Sequence, residues 1–216
     1  MRGRHARRWR LAAVACVAAF LAVPASGQAA FKFGAKLASD MQPSGAGNGH
    51  FCVQSNHTKK CTWIMNEAYG RPDGGHKSPR AGHITKIRII ANASGSFVAQ
   101  IVTVQKVGDN YRAKVTAQSR LLHYDGQDAD EEPYEIESFT VNLALKKGQR
   151  LAIKTNKTSF LRCSSGGDNT LLYKPPLVLG AAFRNNTNDD GCWLLIEAVA
   201  VGSSPRVGGS LRSLHN

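Results

Sequence analysis

Two oxygen-rich segments of the chain contain residue types that could hold a calcium ion. The first, DGQDADEEPYE at 125–135, has five carboxylates within eight residues. Several carboxylate oxygens in one loop are the ligands that Ca²⁺ prefers. We therefore take Asp125, Asp128 and Asp130 as the predicted metal ligands. The alternative is a solvated hairpin loop that aids solubility. Calcium is the one cofactor that the sequence leaves open.

The second segment, NTNDDGCWLLIE at 186–197, has the spacing of a helical calcium loop, with Glu197 in the twelfth position. Its flanks, LVLGAAFR and the apolar run that follows, are typical of strands rather than helices. An extended run from Asp190 to Glu197 would span roughly 23 Å, so these carboxylates could not share one ion. We interpret the segment as a polar turn that leads Cys192 to a disulfide and Trp193 to the core or a surface.

Aromatic residues beside turn-rich segments are candidate sugar contacts, because a ring face packs on the axial C–H groups of a sugar. We predict that this role falls to Trp63, Tyr124, Tyr134 and Tyr173. Partial burial at strand ends is the alternative for each ring.

Motifs of common enzymes are missing from the sequence. It has no G-x-S-x-G, no H-E-x-x-H and no phosphate-binding loop. No catalytic residue is assigned, and we favour a binding role over catalysis.

The amino terminus has the pattern of a secretory signal peptide, which we place at residues 1–29. Five arginines precede a thirteen-residue apolar run, Leu11–Val23, and small residues follow. The run is too short to span a bilayer comfortably, and no later run is longer. We therefore expect export, a mature chain without a transmembrane segment, and cleavage after Gly27 or Ala29.

The mature chain remains basic. Loss of the five leader arginines lowers the formal net charge from +13 to +8. The cations are scattered, with the densest pairs at 59–60 and 146–147. This distribution favours anionic polymers such as acidic cell-wall polysaccharide over specific nucleic-acid recognition.

Four cysteines remain after the leader is removed: Cys52, Cys61, Cys163 and Cys192. An even number in an exported chain predicts two disulfides, for which three pairings exist. We favour Cys52–Cys61 and Cys163–Cys192, because the members of each pair are close in sequence. Zinc binding is disfavoured, because no C-x-x-C pair is present and the histidines lack ligand spacing.

The elements that must position these residues are strands. Alternation of period two dominates after residue 84, and GDN at 108–110 predicts a hairpin turn. The last apolar run, from 192 to 201, predicts a central, buried strand. Nine or ten short strands predict an antiparallel, jelly-roll-like β-sandwich over residues 31–202, with its first and last strands side by side. Residues 203–216 form a polar tail that we expect to be flexible.

Several strand segments resemble a group of secreted actinobacterial β-sandwich proteins of uncharacterised function. The similarity covers about two-thirds of the chain and includes Cys61 and Thr62, the run Gly82–Ile89, and the stretch Leu145–Ile153. The resemblance implies the fold and the extracytoplasmic location, and it implies no catalytic residue.

The sequence therefore predicts an exported β-sandwich that binds an extracellular ligand, with carbohydrate as the leading candidate. A structural or protein-interaction module of the cell envelope is the first alternative, and a hydrolase is the second.

Overall fold

The computed structural model describes residues 29–39, 60–71, 74–91, 94–127, 133–155 and 163–203. These ranges contain eleven strands: β1 (Ala30–Gly34), β2 (Cys61–Met65), β3 (Gly82–Ile89), β4 (Gly95–Val107), β5 (Asn110–Tyr124), β6 (Glu137–Leu145), β7 (Arg150–Thr155), β8 (Cys163–Tyr173), β9 (Arg184–Asn185), β10 (Asn188–Leu194) and β11 (Ile196–Gly202). Among the described residues there is no helix, and hence none long and apolar enough to cross a membrane.

The strands form two antiparallel sheets. The smaller sheet has the order β1-β11-β3-β6, and the larger has the order β10-β8-β2-β7-β4-β5-β9. The all-β, sandwich-like fold predicted from the sequence is confirmed, and β1 pairs with β11 as expected of the first and last strands.

The longest hairpin, β4–β5, illustrates why these segments are strands. Val107 lies opposite Asn110, and Gly108 occupies the left-handed region at a φ of 60° between them. Glycine reaches that conformation without steric cost, which suits the predicted turn. In β5 the buried Ala113 and Val115 alternate with the more exposed Arg112, Lys114 and Thr116. One face of β5 is therefore apolar, and the other carries cations.

The main core lies between the sheets. The smaller sheet contributes Phe33, Ile87 and Ala198, and the larger contributes Trp63 and Phe97. All five side chains are at most 2% exposed. Burial of large apolar side chains on both inner faces is the principal stabilising term of such a sandwich.

The larger sheet curls around a second, smaller core on its other face. Arg184–Asn185 pairs with β5, whereas the chain from Asn188 onward pairs with β8, so one short segment links two distant strands of the sheet. The curl encloses Ile64, Val102, Ala113, Val115, Ala152, Leu171, Tyr173 and Leu177.

Two parts of the fold differ from the sequence prediction. The segment interpreted as a polar turn is the edge strand β10. An edge strand tolerates polar residues because one side faces solvent. Its pairing with β8 shifts register between Asp190 and Cys192, and the additional residues at the shift, 166–169, belong to β8. The apolar run from 192 to 201 is divided at Leu195, where the chain passes from the larger sheet to the smaller. β11 is the central, buried part of that run.

Several predictions concern residues outside the described ranges. These are the signal peptide up to residue 28, Cys52, Asp128, Asp130 and the tail beyond 203.

Candidate functional site

A cleft runs along the outer edge of β5, where the connection between β8 and β10 meets it. Leu179 bridges to Val115, and Arg184 pairs with Ala113. Four residues, 180–183, therefore lie between two attachment points that are only two residues apart on β5. The extra chain must bulge away from the strand, beginning at Gly180, which has a φ of 78°. The space left between strand and bulge is a cleft of about 560 Å³.

The lining of this cleft is basic. It is formed by Arg112, Lys114, Val115, Thr116 and residues 179–183. Arg112 and Lys114 are two residues apart on one strand, so they extend from the same face about 7 Å from each other. The lining includes no acidic side chain. The local potential is therefore positive without an internal counter-charge.

Phe183 positions both cations. The Cζ atom of Arg112 lies 5.1 Å from the ring centroid, and the Nζ atom of Lys114 lies 4.8 Å from it. Cation–π contacts of this kind hold a charged group in place without neutralising it. The Nε of Arg112 is buried and has no hydrogen-bond acceptor among the described residues. The arrangement presents a preoriented guanidinium and an ammonium to an anionic group such as a carboxylate or sulfate.

The aromatic residues that the sequence nominated as sugar contacts lie elsewhere. Trp63, Tyr124, Tyr134 and Tyr173 are all at most 8% exposed and pack in the two cores. Burial raises the pKa of Tyr124 and of Tyr173 above the usual range. Their ring faces are not presented to solvent, so their placement gives the predicted ligand contacts no support.

The acidic loop is only partly described. Asp125 is exposed, and its backbone N–H donates to Oε2 of Glu137 at 3.1 Å. The N–H of Gly126 donates to the other oxygen, Oε1, at 2.8 Å. Glu137 thus anchors the start of the loop. No cluster of three or more potential metal ligands occurs within the described ranges, and calcium at Asp125, Asp128 and Asp130 stays a prediction.

A second cationic centre lies inside the curled sheet. Arg150 is 8% exposed, and its Nη1 donates to Oδ1 of Asn66 at 2.5 Å. Burial lowers its pKa. Burial and the nearby charges of Arg150 and Lys77 also lower the pKa of His76 to about 4. His76 is therefore neutral near pH 7 and avoids adding a third positive charge.

Glu197 forms a charged cluster on the outer face of the smaller sheet. Although its side chain is only 2% exposed, it binds three cations: Arg71 at 2.7 Å, Lys32 at 3.4 Å, and Arg88, which lies opposite it on β3. Arg71 comes from the loop after β2 and also donates to the carbonyl oxygen of Lys32 at 3.2 Å. The cluster attaches that loop to the sheet.

The strand register restricts the cysteines. Leu194 lies opposite Cys163, and Cys192 lies opposite Ser165, so Cys163 and Cys192 belong to neighbouring strands. Cys61 begins β2, is fully buried, and lies opposite Thr155 of β7.

Sequence reasoning missed the basic cleft. The wall of the cleft that β5 forms could have been inferred from the sequence, because the alternating segment YRAKVT places Arg112 and Lys114 on one face. The other half, Leu179 and Phe183, is more than sixty residues away in sequence. No local pattern indicates that this segment returns to β5.

Comparisons with protein-family models, with curated proteins and with solved structures found no match to this chain.

Proposed function

We propose that this protein is an exported, non-catalytic binding module whose ligand is an acidic extracellular polysaccharide held in the basic cleft. The observation that carries the proposal is the pairing of Arg112 and Lys114 over Phe183 in a cleft without an acidic lining residue. A guanidinium beside an ammonium, with no acidic side chain in the lining, favours an anionic ligand.

The shape of the cleft favours a chain over a small ion. Its volume of about 560 Å³ falls within the range of about 300–1,000 Å³ usual for ligand sites. It follows an extended strand from Arg112 to Thr116, about 14 Å at the usual rise per residue. Two cations about 7 Å apart along that line suit a polymer whose acidic groups repeat along its length.

Export is the part of the proposal that rests on sequence. The arginine-rich start, the apolar run and the small residues before residue 30 support it, as does the resemblance to secreted actinobacterial proteins. The net charge of +8 in the mature chain would also speed the encounter with a polyanion.

The interaction-module alternative has an observation in its favour. Val178 and Leu179 are 60% and 46% exposed beside the cleft. Apolar side chains at this exposure can contact a protein partner, although two residues make only a small patch. The hydrolase alternative needs a positioned acid or base, and the lining of this cleft provides neither.

The test is binding of the mature chain to polygalacturonate, with dextran as the neutral control polymer, by isothermal titration calorimetry at low and high salt. We expect polygalacturonate to bind and dextran not to bind at this site. Substitution of Arg112→Gln together with Lys114→Gln should weaken binding at least tenfold and reduce its salt dependence, because fewer counterions are displaced.

Lys86→Gln is the matched control, because Lys86 is an exposed cation on the other sheet. It should leave the affinity within about twofold, as expected of a distant surface charge. Equal losses from the Lys86 variant and the double variant would show diffuse charge attraction rather than a site. Binding of dextran with the same affinity would overturn the acidic-ligand assignment.

A further inference from the structure

A second pocket, of about 400 Å³, lies at the open side of the sandwich between β5 and β6. It is lined by residues 118–120 of β5 and residues 140–143 of β6. β6 is an edge strand of the smaller sheet. Within the described part of the chain, β5 pairs beyond Val115 only with β4, so its outer edge is open there. The pocket therefore lies between two open strand edges.

Both walls of this pocket are β-bulges. Where β4 pairs with β5, the single residue Ala99 lies opposite residues 119–120. Where β3 pairs with β6, the single residue Thr85 lies opposite residues 141–142. A bulge bends its strand and redirects side chains, and bulges are frequent at sheet edges and beside active sites. The pocket lies where these two bulges face each other.

Ser119 holds the bulge of β5 in place. Its Oγ accepts a hydrogen bond from the N–H of Ala99 at 3.0 Å and donates one to the carbonyl oxygen of Arg120 at 2.6 Å. The hydroxyl thus takes the place of a main-chain acceptor for Ala99, whose N–H would otherwise need another partner. This wall of the pocket is therefore fixed by its own hydrogen bonds.

The inner lining of the pocket is apolar, and its border is polar. Leu143 is 4% exposed and belongs to the main core, against which Val141 also packs. Four exposed polar side chains complete the lining: Gln118, Arg120, Thr140 and Asn142. A ligand of this pocket would therefore combine an apolar part with a polar group.

A directional chain of hydrogen bonds makes Gln118 a donor. The N–H of Leu177 donates to Oγ1 of Thr62 at 3.0 Å, so the Thr62 hydroxyl donates to Oε1 of Gln100 at 3.1 Å. Gln100 then donates through Nε2 to Oε1 of Gln118 at 3.3 Å. The carbonyl of Gln118 is thereby occupied. Its amide NH₂ has no acceptor among the described residues and is left to donate.

Arg120 adds a positive charge to the same pocket. It is exposed, and within the described ranges it forms no ion pair. Its long side chain can therefore reach a ligand in the pocket that it borders. The lining contains no acidic side chain. Because a guanidinium forms its strongest hydrogen bonds with anionic oxygens, the polar group that this pocket favours is a carboxylate.

We propose that this pocket binds a carboxylate attached to a compact apolar group. Arg120 and Gln118 donate to the carboxylate, and Val141 and Leu143 contact the apolar group. The volume of about 400 Å³ lies near the lower end of the usual range of about 300–1,000 Å³, which suits a branched aliphatic group or a single ring. A free short-chain acid and the carboxyl terminus of a peptide share this chemistry. The proposal does not depend on the basic cleft, because it concerns different residues.

Nuclear magnetic resonance both detects and locates the binding. The labelled protein is titrated with isocaproate, with isocaproamide as the uncharged isostere and isoamylamine as the cationic analogue. We expect isocaproate to shift the amide signals of residues 118–120 and 140–143 and to leave those of residues 112–116 unchanged. Isocaproamide should bind at least tenfold more weakly, and isoamylamine should not bind.

A peptide distinguishes the two sources of the carboxylate. Acetyl-Ala-Ala-Leu carries the same branched group beside a free carboxyl terminus, and its amidated form is the control. Tighter binding of the free peptide than of isocaproate would assign a peptide terminus as the ligand. Tighter binding of isocaproate would assign a free acid. In either case the amidated or uncharged form should bind more weakly.

Two variants at exposed positions assign the contacts. Arg120→Gln should weaken isocaproate binding at least tenfold and bring it close to that of isocaproamide. Gln118→Glu keeps an acceptor for Gln100 and places a negative charge at the pocket, so it should abolish binding. Lys106→Gln, at an exposed cation near the far end of β4, should leave the affinity within about twofold. Melting temperatures equal to that of the parent protein confirm that the variants fold.

Four outcomes would overturn the proposal. The first is the absence of shifts at residues 118–120 and 140–143 with either carboxylate. The second is equal binding of isocaproate and isocaproamide, which would remove the role of the charge. The third is carboxylate binding that Arg120→Gln and Gln118→Glu leave unchanged. The fourth is a set of shifts confined to residues 112–116 and 179–183, which would assign the carboxylate to the basic cleft. A failed polygalacturonate experiment would leave this proposal standing, because that experiment concerns Arg112 and Lys114.

Discussion

At Glu197, one buried carboxylate holds three cations from three separate parts of the chain. Lys32 belongs to β1, Arg88 to β3, and Arg71 to the loop after β2. The ion pairs to Arg71 and Arg88 are the better shielded, because those side chains are 26% and 21% exposed, whereas Lys32 is 49% exposed. Solvent screening therefore weakens the ion pair between Lys32 and Glu197 the most.

We therefore expect Glu197→Gln to destabilise the protein by about 2–3 kcal/mol. Removing one partner of a buried ion pair typically costs about 3–5 kcal/mol, and the partial exposure of the cations lowers that figure. Urea unfolding at pH 7 measures the loss. Glu135→Gln, at an exposed carboxylate, should stay within about 0.5 kcal/mol of the parent chain. A similar small change for Glu197→Gln would show that the cluster is not stabilising.

His76 should make stability depend on pH between about 6.5 and 4. Its pKa is lowered to about 4 in the folded chain, against about 6.5 when unfolded, because burial and the charges of Arg150 and Lys77 disfavour its protonation. In this window the unfolded chain binds more protons. The stability contribution is therefore present above pH 6.5 and is lost as the pH falls towards 4.

Between pH 7 and pH 5 the loss attributable to His76 should be about 1 kcal/mol, after a discount for its partial exposure to solvent. Urea unfolding of the parent chain and of His76→Gln at both pH values isolates the loss of stability that is due to His76. The variant should lose less stability than the parent on acidification. The matched variant His83→Gln, on the exposed face of β3, should follow the parent. Identical losses in the parent and His76→Gln would contradict the assignment.

At the scale of the element, Gly82 of β3 pairs with Gly202 of β11. A Cβ built on Gly82 would lie 1.9 Å from the carbonyl oxygen of Val201, well inside van der Waals contact. A Cβ on Gly202 would meet only the flexible side chain of Arg80, at 3.5 Å or more. Position 202 therefore has room for a side chain, whereas position 82 does not.

Gly82→Ala should cost about 3 kcal/mol or more, because the added methyl forces a main-chain shift between two paired strands. Gly202→Ala should be neutral or stabilising by about 0.5 kcal/mol, because alanine has less freedom in the unfolded chain. Thermal unfolding of both variants provides the comparison. Equal destabilisation by the two substitutions would show that the close approach at Gly82 is relieved without cost.

The elements that the sequence predicted well are those with strict alternation. In β6, and in β5 between Arg112 and Arg120, the side-chain pattern repeats every two residues, and the β4–β5 turn has a glycine where a positive φ is needed. β10 escaped prediction because Asn188, Asp189 and Asp190 are turn-forming residues in isolation. Pairing with β8 overrides that local preference, and no pattern within the segment itself indicates this pairing.

At the scale of the whole molecule, the sandwich-like fold follows from composition and alternation, whereas the curl of the larger sheet does not. The curl depends on contacts such as the one between Tyr111 and Asn186, whose backbone and side-chain groups bond across 75 residues. The basic cleft is a product of that curl. Of the basic cleft, only the charge alternation at Arg112 and Lys114 was visible in the sequence.

The larger sheet also decides which disulfides are geometrically allowed. Trp63 lies opposite Leu172, and Leu172 lies opposite Asn188. These three residues form one row across β2, β8 and β10. Along the strands, Cys61 lies two residues from this row on one side, and Cys192 lies four residues from it on the other side. About 20 Å therefore separates the two cysteines along the strand direction. Cys163, opposite Leu194, is farther still. A disulfide requires Cα atoms within about 7 Å of each other.

We therefore expect Cys61 to pair with Cys52, which excludes the two crossed pairings. Non-reducing peptide mapping by mass spectrometry should recover a peptide linking 52 to 61 and none linking 61 to 163 or 192. Closing a short loop contributes on the order of 2–3 kcal/mol, so Cys52→Ser should destabilise the oxidised protein by about that amount. Recovery of a 61–192 or 61–163 peptide would contradict the register of β2, β8 and β10, and with it the curl that forms the basic cleft.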